Sequence, residues 1–400
     1  MEKIQHKNIQ TNGINIHVAE IGDGPAILFL HGFPELWYSW RHQMISLSSR
    51  GYRAIAPDLR GFGDSDAPPC ASSYTAFHII GDLVGLWTLW GWTGFFWWAT
   101  IGELIRALVN MSVVFQPRHP KKKPVESMRA MLGDDYYICR FQEPGEAEEE
   151  FARVDTARLI KKFLTSRNPT PLRVPKEVGF GGSPHKPITM PSWLSEDDFE
   201  YYVSKFNQKG FTGGLNYYRA MDLNWELTAA WTGVQIKVPV KFIVGDIDLT
   251  YNTPGVKEYI HNGGFKRHVP FLQECVIMEG VAHFCNQEKP EEISQHIYDF
   301  IQSANGDGDS RMMPTSEASF LTNVNFLVRR VFDVFDTSFF GLYWGDLTFG
   351  IMGRLNSCFF VQKKKLRNLI SAYWELGILH IDACGRAWTM VHGPFIIEKD

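Results

Sequence analysis

Short apolar runs punctuate the chain. Ala26-Ile27-Leu28-Phe29-Leu30 is followed at once by His31-Gly32-Phe33-Pro34, which reads as a buried strand running into a tight turn. Tyr52–Asp58 predicts a second strand, stopped by Leu59-Arg60-Gly61-Phe62-Gly63; Ala107–Ser112 a third; Val238–Val244 a fourth; and Cys275–Met278 a fifth. Helical patterns separate them, among them Trp40 to Leu47 and Pro290 to Ile301. In the latter, Pro290 sits in the first turn and Ile293, Ile297, Phe300 and Ile301 share one face. Apolar strands alternating with helices imply a mostly parallel sheet covered on both faces, with any ligand at the carboxyl ends of its strands.

About 120 residues rich in Pro, Tyr and charge separate the third and fourth strands, with helical patches at Glu146–Leu164 and Ser195–Gln208. The expected division is a core of residues 1–116 and 236–302, a cap domain over 117–235, and a tail over 303–400. That tail opens on a polar linker, Ser303 to Ser310, and continues as an aromatic-rich stretch with no sustained period.

Of the 400 residues, 44% are hydrophobic and 21% charged, enough apolar material for a sizeable core. A net charge of -4 gives no reason to expect a nucleic-acid or anionic-membrane partner. The cysteines, Cys70, Cys139, Cys275, Cys285, Cys358 and Cys384, have no C-x-x-C spacing, so neither a zinc site nor a disulfide framework is suggested, and no cofactor is expected. Met1–Gly13 lacks the apolar region of a signal peptide and Glu398-Lys399-Asp400 is no peroxisomal tripeptide, which makes cytoplasmic residence the expectation.

Residues 1–82 and 105–302 resemble plant soluble epoxide hydrolases of the α/β-hydrolase fold. The resemblance is carried by the His31–Pro34 turn, Pro57-Asp58-Leu59-Arg60-Gly61-Phe62-Gly63-Asp64-Ser65-Asp66, Val244-Gly245-Asp246-Ile247-Asp248, and Gly280-Val281-Ala282-His283-Phe284. Two further motifs, Tyr136-Tyr137-Ile138-Cys139-Arg140-Phe141 and Asn216-Tyr217-Tyr218-Arg219, are more specific than the turn, which occurs throughout α/β-hydrolases. The chemistry fits these residue types. A carboxylate opens an epoxide by attack at carbon, forming an ester. The departing alkoxide needs a donor, and a tyrosine, with a pKa of about 10, is protonated at neutral pH. The resemblance assigns that work to Tyr137 and Tyr218 rather than Tyr136 and Tyr217. It makes His283 the base that activates water on the ester, and Asp248 the group that holds the imidazole in its tautomer. It places the oxyanion hole at backbone N–H groups near Phe33. Glu35, just after the turn, reads equally as a contact to the site water or as a helix N-terminal charge. The implied substrates are lipid-like small molecules, fatty-acid epoxides.

One part of the family pattern is missing. Before Ile105-Arg106-Ala107-Leu108 the resemblance calls for a strand and a Gly-His-Asp-Trp-Gly turn whose Asp is the nucleophile. Residues 83–104 contain no Asp. Leu83–Gly102 is instead twenty uncharged residues with five tryptophans and four glycines. Tryptophan has one codon, TGG, which allows a test by back-translation. Joining the last base of each codon to the first two of the next makes Trp87-Thr88 read Asp, Trp90-Gly91 Gly and Trp92-Thr93 Asp. Phe96-Trp97, Trp97-Trp98 and Trp98-Ala99 then read Leu-Val-Gly, and the next four codons permit His-Asp-Trp-Gly. The shifted frame thus accommodates the missing turn, and residues 83–104 read as a frameshifted or mis-spliced segment. Most of the helix after that turn is absent too. Translated non-coding sequence accounts for the tail after Gln302.

Three readings follow. The first is an epoxide hydrolase by descent that lacks its nucleophile as written. The second is a non-catalytic binder of lipid-like epoxides. The third is a membrane-tethered protein using Leu83–Gly102, a run long enough to cross a bilayer.

Overall fold

A computed structural model describes residues 3–89, 105–182, 187–306, 379–381 and 387–389. The chain divides into two units, Met1–Asp307 and Gly308–Asp400. In the second, β8 (Leu379–Ile381) pairs antiparallel with β9 (Ala387–Thr389).

All five expected strands are present in the first unit. They are β3 (Ala26–Leu28), β4 (Arg53–Pro57), β5 (Leu108–Met111), β6 (Val240–Gly245) and β7 (Leu272–Met278). An N-terminal hairpin, β1 (Gln5–Thr11) and β2 (Ile14–Ile21), precedes them. Its first strand, QHKNIQT, is too polar to announce itself by periodicity. It is held by a full antiparallel register with β2, from Gln5↔Glu20 to Thr11↔Ile14.

The sheet comes in two pieces. One has the order β1-β2-β4-β3, the other β5-β6-β7. β3 and β4 are parallel, as are β5, β6 and β7, while the hairpin joins β4 antiparallel. β6 is buried along its whole length, as a strand covered on both faces should be.

Helices complete the layers. α1 (Arg41–Ser48) follows a short 3-10 turn at Trp37–Trp40, and α2 (Ala76–Leu89) lies against β1. Leu86 of α2 is buried with Ile16, Val18 and Ile55, so the start of the uncharged Leu83–Gly102 run belongs to a core helix; the rest of the run, with most of the aberrant segment 83–104, lies outside the described residues. Among the described residues no helix is long and apolar enough to cross a membrane.

Between β5 and β6 the described chain is helical: α3 (Pro124–Leu132), α4 (Tyr137–Arg140), α5 (Glu146–Ala152), α6 (Thr156–Leu164), α7 (Glu196–Lys209), α8 (Thr212–Arg219) and α9 (Met221–Leu227). Their starts follow local chemistry. Asp155 caps α6 by accepting from Ala157 and Arg158, and Ser195 caps α7 by accepting from Asp198, each worth about 1 kcal/mol. α10 (Val256–His261), α11 (Gly264–His268), α12 (Cys285–Glu288) and α13 (Pro290–Gly306) complete the unit. α13 corrects the expected linker: Ser303–Gly306 is its last turn, not coil.

Candidate active site

The carboxyl ends of the strands carry the titratable groups. Asp248 follows β6 and is fully buried, while His283 follows β7 with its side chain 24% exposed. His283 Nδ1 lies 3.0 Å from Asp248 Oδ1 and 3.1 Å from Oδ2. Burial alone would raise the Asp248 carboxyl, but His283 and the donors on Thr250 hold it below the usual carboxylate range. Burial pushes the imidazole down, and Asp248, with a further contribution from Glu35, outweighs it and raises His283 above its ordinary value.

Two residues not apparent in the sequence fix this pair. Thr250 donates its N–H to Asp248 Oδ1 at 2.7 Å, and its Oγ1 lies 2.7 Å from the Ser112 carbonyl. Ser112, just past β5, donates its Oγ–H to the His283 carbonyl at 2.6 Å from a left-handed backbone, φ 62°. A non-glycine there is strained by about 1–2 kcal/mol, so the contact is kept against a cost. The one sequence signal was Asp-x-Thr, an Asx-turn pattern too common to single out.

β3 delivers the second wall. His31 donates Nδ1–H to the Gly32 carbonyl at 2.8 Å and accepts the Leu59 N–H at Nε2, 3.0 Å, which locks the turn and its neutral tautomer. Burial lowers the pKa of His31, consistent with that state. The N–H of Phe33 donates to no described residue. Glu35 receives the amide of Gln287 at 3.2 Å; Tyr202 of α7 donates to the same glutamine at 3.0 Å. Gln287 thus ties Glu35 to the helical region, a link only long-range folding could reveal.

The Phe33 ring stands between core and helices. Ring centroids of Phe141, Phe163, Phe211 and Tyr218 lie 5.9–6.4 Å away, mostly edge-on, the favoured geometry for aromatic pairs. Tyr137 and Tyr218 sit together, ring centroids 5.9 Å apart. Burial raises both hydroxyls well above the ordinary phenol value, so both stay protonated; Tyr218 and Tyr136 add to the rise at Tyr137, whereas at Tyr218 Tyr136 adds to it and the hydrogen bond with Tyr137 works against it. Of their neighbours only Tyr217 turns away, donating to the Arg60 carbonyl at 3.0 Å; Tyr136 packs with Leu132, Ile138 and Cys139 and keeps its ring centroid 4.8 Å from that of Tyr137. Two glycines permit this approach. A Cβ on Gly213 would lie 2.3 Å from the Gly61 carbonyl oxygen, and one on Gly214 2.5 Å from the Phe33 ring.

His17, Asp58 and Asp64 form a cluster with metal-capable atoms. Asp58 already accepts from His17 at 2.9 Å and the Trp37 N–H at 2.9 Å, and Lys205 neutralises Asp64 at 2.6 Å. These contacts make the cluster a structural brace behind the turn rather than a cation site.

Comparison with known proteins bears on the fold and the family. A family profile for the alpha/beta hydrolase fold matches residues 25–89. The chain is 61% identical to Epoxide hydrolase 1 of Siraitia grosvenorii over 314 residues, covering 76% of this chain and 99% of the relative. Epoxide hydrolase A of Mycobacterium tuberculosis is 33% identical over 318 residues, 73% of this chain and 96% of its own. Among solved structures, an epoxide hydrolase from Vigna radiata superposes with a TM-score of 0.71 at 56% identity, covering 76% of this chain and 99% of its own. Potato epoxide hydrolase I gives 0.69 at 51%, covering 75% and 100%. The chain belongs to the epoxide hydrolases of the α/β-hydrolase fold.

Proposed function

We propose that this chain carries the acid–base half of an epoxide-hydrolase site and, as written, lacks the nucleophile, so that it does not turn over. Residues 117–235 are the cap. Tyr137 and Tyr218 are the proton donors to the alkoxide, the N–H near Phe33 is part of the oxyanion hole, Glu35 contacts the hydrolytic water, His283 is the base, and Asp248 orients it. In the complete reaction a carboxylate oxygen bonds to an epoxide carbon, the ring C–O bond breaks, and the alkoxide takes a tyrosine proton. Water, losing a proton to His283, then cleaves the ester to give the diol and the free carboxylate. The substrates are lipid-like epoxides, and the setting is cytoplasmic.

The observation that carries this reading is the Asp248–His283 pair at 3.0 Å in a chain with no Asp between residues 83 and 104. Thr100 and Ile101 lie where the shifted codon stands, and threonine is a poor substitute because its hydroxyl must first be deprotonated. The test replaces residues 87–104 with the shifted-frame sequence plus a helix and ends the chain at Gln302. The replaced protein should hydrolyse a styrene-type or fatty-acid epoxide. Its His283→Ala variant should accumulate the ester, visible by mass, and its Tyr137→Phe, Tyr218→Phe double variant should not form it. A folded, replaced protein that neither turns over nor traps an ester overturns the assignment.

A further inference from the structure

The carboxylate of Glu35 is held weakly by its own turn. The residue is half-buried, and its Oε2 accepts the Gly32 N–H at 3.4 Å, beyond the ordinary range for such a bond. The firmer hold comes from Gln287, whose Nε2 donates to Glu35 Oε1 at 3.2 Å. Gln287 is 1% exposed and is fixed from its other side. Its Oε1 accepts from Tyr202 of α7 at 3.0 Å and from Arg41 at 3.4 Å. Arginine can only donate, so the amide oxygen must face Arg41 and the amide N–H groups must face Glu35. Ser39 Oγ lies 2.7 Å from the Tyr202 hydroxyl and 3.5 Å from Gln287 Nε2. Serine, tyrosine and glutamine thus close a buried ring in which each donates to the next. Burial raises the Tyr202 hydroxyl, which keeps it a donor. Tyr202 belongs to the helical region, Ser39 and Arg41 to the start of α1, and Gln287 to α12 beside His283.

We propose that Tyr202 and Gln287 are positioning residues, through which the seating of α7 on the core holds the Glu35 carboxylate in place beside His283. Among the described residues the charged groups that act on the His283 ring are Asp248, after β6, and Glu35, after the β3 turn. The Cys285 thiol nearby is kept protonated by burial, its pKa pushed up to about 12, and adds no charge. Asp248 is fully buried and pinned by Thr250, whose N–H it accepts at 2.7 Å, so it is indifferent to α7. Glu35 is the one that α7 controls. With the ring of donors intact its charge stays near the imidazole; with the ring broken the half-buried carboxylate can turn to water. What this does for turnover rests on the function proposed above; the positioning itself rests on the hydrogen bonds.

The experiment follows the His283 ring by NMR titration of the full chain, its resonances assigned by their loss in His283→Ala. Glu35→Gln removes the charge while keeping the shape and should lower the His283 pKa. Gln287→Met removes the amide and should lower it in the same direction, because the freed carboxylate leaves the imidazole. Tyr202→Phe deletes one hydroxyl, keeps the ring, and should give a smaller drop. The Glu35→Gln, Gln287→Met double variant should titrate no lower than Glu35→Gln alone, since the group through which Gln287 acts has lost its charge. If Gln287→Met does not fold, Tyr202→Phe in the two backgrounds makes the same comparison. Turnover enters none of these readings, so the positioning and the proposed function fail separately. The positioning role is overturned if Glu35→Gln leaves the titration in place, or if it lowers the titration while Gln287→Met or Tyr202→Phe does not. It is equally overturned if either of these acts as strongly in the Glu35→Gln background as in the parent, the mark of a merely structural joint.

Discussion

At the scale of residues, the site is a set of charges and donors whose protonation follows from burial and pairing. His283 is raised and Asp248 lowered, each by the other. The raised histidine contributes stability that is fully present below about pH 6.5 and is lost as pH rises through its folded value. The lowered carboxylate contributes stability that is present above about pH 3.9 and is lost as pH falls through its folded value. The pair therefore stabilises most between those limits. NMR titration of the His283 ring should show a pKa above the ordinary value, and Asp248→Asn should bring it down; an unchanged value in the variant would mean that the 3.0 Å contact does not set the imidazole. Asp58 offers a test of bracing. It is 0% exposed and holds both His17 and the Trp37 N–H. Asp58→Ala strands a buried imidazole and a backbone donor, so urea denaturation should show a loss of about 3–5 kcal/mol.

At the scale of elements, the docking of α8 decides where Tyr218 goes. Gly213 and Gly214 bring the first turn of that helix against Gly61 and the Phe33 ring, closer than any side chain allows. Gly214→Ala should push α8 off the ring and cost about 1–3 kcal/mol by overpacking, measured by chemical denaturation. An alanine tolerated without loss would show that α8 docks by other contacts. α7 is fastened independently. Its Asp198 pairs with Arg41 at 3.0 Å and accepts from Tyr38 at 2.9 Å, and its Tyr202 lies 2.7 Å from the Ser39 hydroxyl. The helical region is thus joined to the core by polar contacts beside Glu35 and by aromatic ones around Phe33.

At the scale of the whole molecule, the split sheet governs stability. A covered parallel sheet gains from continuity, whereas among the described residues β3 and β5 each pair along one edge and the apolar Leu30 and Val113 just beyond them are exposed. The chain as written should therefore melt in a broad, weakly cooperative transition, and should show no epoxide hydrolysis above that of a His283→Ala control. Replacing residues 87–104 as described should sharpen the transition and raise its midpoint, because a typical domain's reserve is only about 5–15 kcal/mol and core disruption consumes several. A purified monomer with a sharp transition before replacement would count against this view of the sheet.

The amino-acid sequence by itself determined what is local. Short, largely apolar runs place β3, β4 and β6; for β6, buried along its whole length, few other compositions are open. The order of Asp248 and His283 after consecutive strands, and the missing Asp in 83–104, are likewise legible without coordinates. Tertiary structure decided the rest. The hairpin β1–β2 was hidden because a partly exposed, polar strand is held by pairing rather than by pattern. Ser112, Thr250 and Gln287 became visible only once folding brought residues 138, 171 and 252 positions apart into hydrogen-bonding distance. The same holds for the division of the described strands into two pieces of sheet. Neither run fixes its own strand partners, because β3 and β5 lie about 80 residues apart in the chain and pairing over that distance is decided by long-range contacts.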